Sequence, residues 1–414
     1  MGPAGATINT SRRGHEAVGL PLETGTFSES ALPTRHLFIA QFCAILVFSA
    51  LYAPQPLLPV LAESFAVSET RAALLITAAL LPLAVAPIAY GFLLQRLSAR
   101  RLLIGATWLL AGSQVAVASV SSFDVLLVLR LLQGLIVPAM LTSLMTYLGA
   151  SAAPGQIARV MSLYIAASVF GGFAGRMVSG LISANLGWRW SFLFLAGATA
   201  LCALLLQRLR ADPPVQFQRP RLSVMLEVLR ERVFLKLYLV VFLAFGAFAS
   251  LLNFLPFRLV ELGTGLNETG IALMYSGYLM GVVTSLVSLR LADRIGGLVN
   301  TMLLGTLVFL SAFLFFAGQA VWLMFLGMFV LCAGMFLIHS LAPGLMNQNP
   351  GTNRGVVNGL YIAFYYAGGA TGSFLPGFLY HGLGWHAYLA SLVLAISLAA
   401  WLLWGLKSAS RTPG

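Results

Sequence analysis

The sequence predicts an all-α membrane protein of about twelve transmembrane helices, arranged as two pseudo-symmetric six-helix bundles. Three observations carry that prediction. Hydrophobic residues fill 59% of the 414 positions and charged residues only 9%, against roughly a quarter charged in soluble domains. Apolar runs of about 20 residues, enough to cross roughly 30 Å of hydrocarbon as helix, recur along the chain. The third is a duplication. Leu163-Tyr164-Ile165-Ala166, Gly171-Gly172, Gly175, Gly180 and Gly187-Trp188 return as Leu360-Tyr361-Ile362-Ala363, Gly368-Gly369, Gly372, Gly377 and Gly384-Trp385, each at an offset of 197 residues. A fixed offset near half the length means two copies of one bundle joined head to tail.

Taken in order, the spans begin near Leu37, Ala72, Leu102, Phe123, Ile157 and Trp188, then near Phe234, Gly270, Leu298, Val321, Val356 and Trp385. Their apolar character on every face excludes the alternating strands of a membrane barrel. Residues 1–35 are rich in Gly, Ser, Thr and Arg without apolar periodicity, and read as a disordered cytoplasmic tail with no leader peptide. Residues 36–208 form the first bundle. Pro54, Pro56 and Pro59 make the outer end of its first span irregular, because each removes a backbone donor and frees a carbonyl. Residues 209–233, with Pro213, Pro214, Pro220 and the densest basic cluster, read as a cytoplasmic linker whose amphipathic stretch Ser223 to Arg232 lies on the anionic leaflet. Residues 234–406 form the second bundle and 407–414 a short cytoplasmic tail. Gly171 and Gly175, like Gly368 and Gly372, place small residues on one helix face. Such a face permits close backbone approach, so packing is the expected role, and smooth glycine surfaces between the two bundles would also let one rock against the other.

The formal charge of +12 is a topology signal. With the N-terminus inside, nearly all Arg and Lys residues fall on the cytoplasmic side, and only Arg71, Arg189 and Arg258 fall outside. No nucleic-acid partner is expected. Cys43, Cys202 and Cys332 sit inside spans at no ligand spacing, so neither a metal nor a disulfide is expected. No phosphate-binding loop is present, since neither Lys236 nor Lys407 follows a glycine. An intramembrane enzyme would need a nucleophile and base or clustered ligands at depth, and the chain has no HExxH pair or clustered histidines. Neither catalysis nor a cofactor is expected.

Four local patterns resemble the major facilitator superfamily across roughly residues 36 to 406. Gly91-Phe92-Leu93-Leu94-Gln95-Arg96-Leu97-Ser98-Ala99-Arg100-Arg101 keeps the spacing of that superfamily's cytoplasmic loop motif, with Gln95 where the motif has aspartate and Ser98 in place of its second glycine. The matching loop of the second half, Asp293-Arg294-Ile295-Gly296, keeps the Asp-Arg-x-Gly core. Arg130-Leu131-Leu132-Gln133-Gly134 is similar to the fourth-helix pattern, and the sixth span opens on Gly187-Trp188-Arg189. Tyr52-Ala53-Pro54-Gln55-Pro56-Leu57-Leu58-Pro59, with Gly171-Gly172-Phe173-Ala174-Gly175-Arg176, resembles the YnfM-like (acriflavine-sensitivity) efflux branch. The resemblance implies a secondary active transporter in a bacterial inner membrane, with both termini cytoplasmic. It would act as a monomer and move a small molecule by alternating access, with proton-coupled efflux of drugs or metabolites the leading reading. Uptake or exchange of an organic anion is the alternative, and a transport-dead receptor or scaffold the alternative of a different class.

The site residues follow from what a bilayer tolerates. Arg130 and Arg176 lie on the order of 10 Å deep from the outer face, where a cation faces a bundle interior or a cavity. Each is open to two readings: substrate pathway, or satisfaction by carbonyls and by amides such as Gln55 and Gln133. Gln55 has a rough counterpart in Asn253, and both offer hydrogen bonds to cargo. His339 lies centrally in the tenth span, as a packed core residue or a proton carrier. Gly91, Gln95, Arg96, Asp293 and Arg294 are the gating-loop residues, with Asp293 expected to cap a helix and pair with arginine. No Asp or Glu falls at the midplane, so a coupled proton would ride on Glu63, Asp124 or His339, or on the substrate.

Overall fold

The computed structural model describes residues 33–94, 97–152, 156–210, 222–348 and 353–409. The expected tail up to residue 32, Gln95, Arg96, the prolines of the linker and the last residues of the chain lie outside the described residues.

Every long segment is helical, since only a helix satisfies its own backbone in hydrocarbon. The first span is α1 (Thr34–Tyr52), a 3-10 turn at Gln55–Leu57, and α2 (Leu58–Ser64). Then follow α3 (Glu69–Leu93), α4 (Ala99–Ser119), α5 (Phe123–Ser151), α6 (Ile157–Leu186) and α7 (Trp188–Leu206). The short amphipathic α8 (Leu222–Arg230) leads into α9 (Arg232–Glu261). The eighth span is broken like the first, into α10 (Glu268–Met274), a 3-10 turn at Tyr275–Gly277, and α11 (Tyr278–Ile295). α12 (Leu298–Ala317), α13 (Val321–Met346), α14 (Arg354–Gly372) and α15 (Pro376–Ala409) complete the chain.

Eleven of these segments are long and apolar enough to cross a membrane. The twelfth is α14, whose glycines, tyrosines and Asn358 dilute its hydropathy. The repeat explains its brevity. Gly384, at φ 81° and ψ −179°, interrupts α15, and Gly187, at φ 93° and ψ 155°, separates α6 from α7. A side chain is strained at such angles and glycine is not. α14 with Pro376 to Leu383 is therefore the copy of α6, and the chain from Trp385 is the copy of α7.

The four glycines at Gly171, Gly175, Gly368 and Gly372 take the expected packing role, within each half and not between halves. Gly171 and Gly175 of α6 pack on the backbone of α1 at Ile45 and Ser49, and Gly368 and Gly372 of α14 pack on the backbone of α9 at Phe242 and Gly246. A Cβ at any of the four would overlap that backbone. Ser49 Oγ donates to the Gly171 carbonyl at 2.9 Å within this seam. The glycines fasten helices inside each half and do not form a sliding surface between halves.

The halves meet on the side away from Pro33 and Ala409, called here the distal side. Ser183 Oγ of α6 donates to Glu268 Oε1 of α10 at 3.2 Å, Thr269 Oγ1 to the Gly180 carbonyl at 3.4 Å, and Thr77 Oγ1 of α3 to the Ala370 carbonyl of α14 at 3.1 Å. Glu69 and His381 approach to 3.4 Å at the rim. On the opposite, terminal side, α8 packs on α9 and α14.

Candidate functional site

The broken first span creates the first cluster. Pro54 has no N–H, so the Ala50 carbonyl four residues earlier loses its helical donor. Arg130 of α5 supplies one: Nη1 donates to the Ala50 carbonyl at 3.2 Å, Nη2 to the Leu51 carbonyl at 2.8 Å and Nε to the Leu75 carbonyl of α3 at 3.0 Å. Nη1 also donates to Gln133 Oε1 at 2.7 Å, and Gln133 Nε2 donates to Ser113 Oγ and Gln114 Oε1 of α4. Arg130 thus ties α1, α3 and α5 together, and through Gln133 reaches α4. It is 1% exposed, and its carbonyl partners favour the structural of its two readings.

Arg176 belongs to a second cluster that spans the two halves. Its Nε donates to Gln55 Oε1 at 2.6 Å, Nη1 donates to the Gly172 carbonyl one turn back, and Nη2 donates to Tyr278 Oη of α11 at 3.2 Å. Gln55 Nε2 donates onward to Asn253 Oδ1 of α9 at 2.6 Å. The rings of Tyr52, Tyr278 and Tyr275 surround the guanidinium, with centroids 4.4, 4.6 and 5.0 Å from its central carbon, a cation–π cage. The loose symmetry mates Gln55 and Asn253 therefore meet each other, and Arg176 joins them. Among the described residues no carboxylate lies within ion-pair distance of Arg176. Asn253 Nδ2 is buried without a partner, so the closure is incompletely satisfied.

Beneath this cluster lies a cavity of about 310 Å³, near the lower end for small-molecule sites. Both halves line it, through Tyr52, Tyr164, Gly172, Tyr278, His339, Tyr361, Tyr365 and Tyr366, with Phe48, Phe248 and Phe336. Tyr164 and Tyr361, offset by 197 residues, lie about two turns into α6 and α14, so the cavity extends toward the terminal side. None of its lining residues is Asp, Glu, Lys or Arg. His339 Nδ1 and Tyr361 Oη are 2.6 Å apart, and Tyr365 stacks on Phe245 at 3.8 Å between centroids.

The remaining expected site residues fall elsewhere. Asp124 is 76% exposed and paired with Arg71 at 2.6 Å, and Glu63 is exposed on the distal rim. Arg71 pairs with the Asp124 carboxylate at this exposed position, and neither Asp124 nor Glu63 is among the residues that line the cavity. Asp293 and Arg294 are exposed at the end of α11. Neither forms an ion pair among the described residues, and Gly297, the residue before α12, offers that helix no side-chain cap. Gly91 sits in the last turn of α3. The tyrosines of the cavity were missed in the sequence. Their signal was present in the repeat of Tyr164 as Tyr361 and in Tyr361 and Tyr365, which at four apart share a helix face.

Two matched helical halves, closed on each other at one side over a cavity lined by both, define a membrane transporter. The sequence profile of the Major Facilitator Superfamily matches residues 37–349 and 260–414, and the chain belongs to that family. It is 28% identical over 363 residues to an uncharacterised transporter of the same type, YybF of Bacillus subtilis strain 168, covering 86% of this chain and 89% of YybF. It is also 28% identical over 368 residues to the inner membrane transport protein YnfM of Escherichia coli K12, covering 87% and 88%. Among solved structures, the fold is similar to a bacterial homologue of the lysosomal transporter Spinster in an inward-facing, occupied conformation, with a TM-score of 0.75, 15% identity and coverage of 93% and 98%. A mutant of the nucleoside transporter NupG gives a TM-score of 0.75 at 14% identity, covering 90% and 99%. The protein is a transporter of that family, whose fold works by alternating access.

Proposed function

We propose that this protein is a proton-coupled exporter of small aromatic metabolites or drugs, acting as a monomer in a bacterial inner membrane with both termini cytoplasmic. The observation that carries the reading is the bridge from Gln55 and Arg176 to Asn253 and Tyr278 above an aromatic cavity shared by the halves. In this reading the distal side is the outer face, the bridge is the closed outer gate, and the cavity loads from the cytoplasm. The basic residues concentrated on the terminal side support that orientation, and the similarity to YnfM supports the inner membrane. Arg176, Gln55 and Asn253 act in the gate, Arg130 and Gln133 hold the first half in shape, and Gly91, Gln95, Arg96, Asp293 and Arg294 act in the opposite gate once it closes. His339 is the proton carrier, because it is the one imidazole lining a cavity that offers no carboxylate.

Everted membrane vesicles from a strain lacking its major efflux pumps test this. With a pH-sensitive dye and an imposed proton gradient, adding a transported aromatic compound should collapse part of the gradient. Arg176→Lys and His339→Ala should each remove most of that response at matched expression, lysine because it lacks the planar fork that holds three partners at once. A silent parent across a panel of aromatic cations, anions and neutral compounds would refute proton-coupled export. A full response from His339→Ala would return the proton to the substrate.

A further inference from the structure

We infer that the central cavity selects planar aromatic acids, monoanions with a single carboxylate on an aryl ring system, and discriminates against aromatic cations. The inference rests on reading this cavity as the substrate site and deepens it to a chemical class.

The first ground is an inventory of donors and acceptors. Tyr278 Oη accepts from Arg176 Nη2 at 3.2 Å, so its own proton is free to be given elsewhere. No acceptor for it occurs among the described residues, and Tyr278 lines the cavity. Tyr52, Tyr365 and Tyr366 also line the cavity, and no hydrogen-bond partner for their hydroxyls occurs among the described residues. Yet none of them is a fully buried orphan. They face open space. A hydroxyl both donates and accepts, so the inventory alone admits neutral ligands as well as anions.

The second ground is charge. The Arg176 guanidinium stands behind the Tyr52 and Tyr278 rings, with centroids 4.4 and 4.6 Å away, and is separated from the cavity by that one layer. Among the described residues no carboxylate within ion-pair distance cancels it, and none lines the cavity. In a low-dielectric setting such a charge acts strongly across short distances. Its hydrogen bond to Tyr278 orients that hydroxyl to donate inward. The field and the donor both favour an anion and oppose an ammonium or other lipophilic cation, for which the aromatic walls alone would have been attractive.

The third ground is shape. Phe48, Phe248, Phe336 and the tyrosines give flat apolar walls, and about 310 Å³ suits a fused ring pair rather than a bulky amphiphile. The carboxylate would accept from Tyr278 while the rings stack against Tyr365 and Phe336.

Three probes of equal ring area separate these effects: 2-naphthoate, 2-naphthylmethanol and 2-naphthylmethylammonium. Equilibrium binding to the purified, full-length protein in nanodiscs is measured by calorimetry. Naphthoate should bind at least about tenfold more tightly than the ammonium, as expected for a hydrogen bond to a charged group, with the alcohol between. Tyr278→Phe should bring naphthoate down toward the alcohol. If that variant does not fold, the ranking on the parent protein still decides. An ammonium that binds as well as naphthoate overturns the inference and leaves the transporter reading intact. Failure of all three to bind folded protein also overturns it, and the vesicle response, which reads proton movement across a wider panel of compounds, judges the transport reading separately.

Discussion

Gly180→Ala should open the distal side without disturbing either half. Gly180 of α6 faces α10 of the other half, and an added Cβ would sit 2.5 Å from the Glu268 carbonyl oxygen and 2.6 Å from the Ala272 Cβ. Favourable contacts between carbon atoms begin near 3.5 Å, so the methyl group cannot be seated while the halves are closed. The obstructing atoms are backbone and a rigid methyl, neither of which can swing aside. Overpacking of this kind costs about 1–3 kcal/mol, and here the cost falls only on the closed state. At about 1.4 kcal/mol per decade, that is a shift of roughly 5- to 150-fold toward the open distal side. The native cysteines Cys43, Cys202 and Cys332 are all buried, so a reporter thiol at Asn253→Cys, read with a membrane-impermeant maleimide added to intact cells, has a low background. Adding Gly180→Ala should raise its labelling rate by about that factor. Unchanged labelling at equal expression would show that the α6 and α10 contact does not govern distal closure.

Two further substitutions separate packing within a half from the gate. Gly175→Ala should lose most of its folded yield in fluorescence-detected size exclusion, because its Cβ would overlap the Ser49 backbone inside the first half and no rigid-body motion of the halves relieves that; a normal profile would refute the assignment. Arg130→Lys should cost about 1.5–3 kcal/mol of stability, since lysine cannot reach the Ala50, Leu51 and Leu75 carbonyls together. It should appear as a lowered melting temperature with naphthoate affinity unchanged, and weaker binding at an unchanged melting temperature would place Arg130 in the substrate pathway instead.

The fold was legible because its determinants are additive along the chain. Span length, the repeat offset and proline position each act locally, and they led to the helices, the paired halves and the irregular end of the first span. The site was legible only in part. Arg130, Arg176, Gln55 and Asn253 stood out because a polar group at membrane depth must find partners. Which partners they find depends on helix rotation, which no periodicity reports when a segment is apolar all round. For the same reason the glycine faces and their packing role were legible but the helix each packs on was not: four-residue spacing says that another backbone approaches closely, not whose. The partner of Asp124 was illegible for a different cause, since Arg71 comes from another helix, 53 residues away in sequence.

The glycine joints at Gly187 and Gly384 have a mechanical consequence. Each joins two helices through one residue fixed at a positive φ, leaving no slack, so a tilt of α6 must carry α7 with it and the two behave as a single bent lever. α6 has 30 residues and is about 45 Å long, so a swing of roughly 10° about its distal contacts displaces its far end by roughly 8 Å. A small slippage where Gly180 meets Glu268 is thereby geared up into a wide excursion at the opposite mouth, on the scale of a stacked pair of aromatic rings.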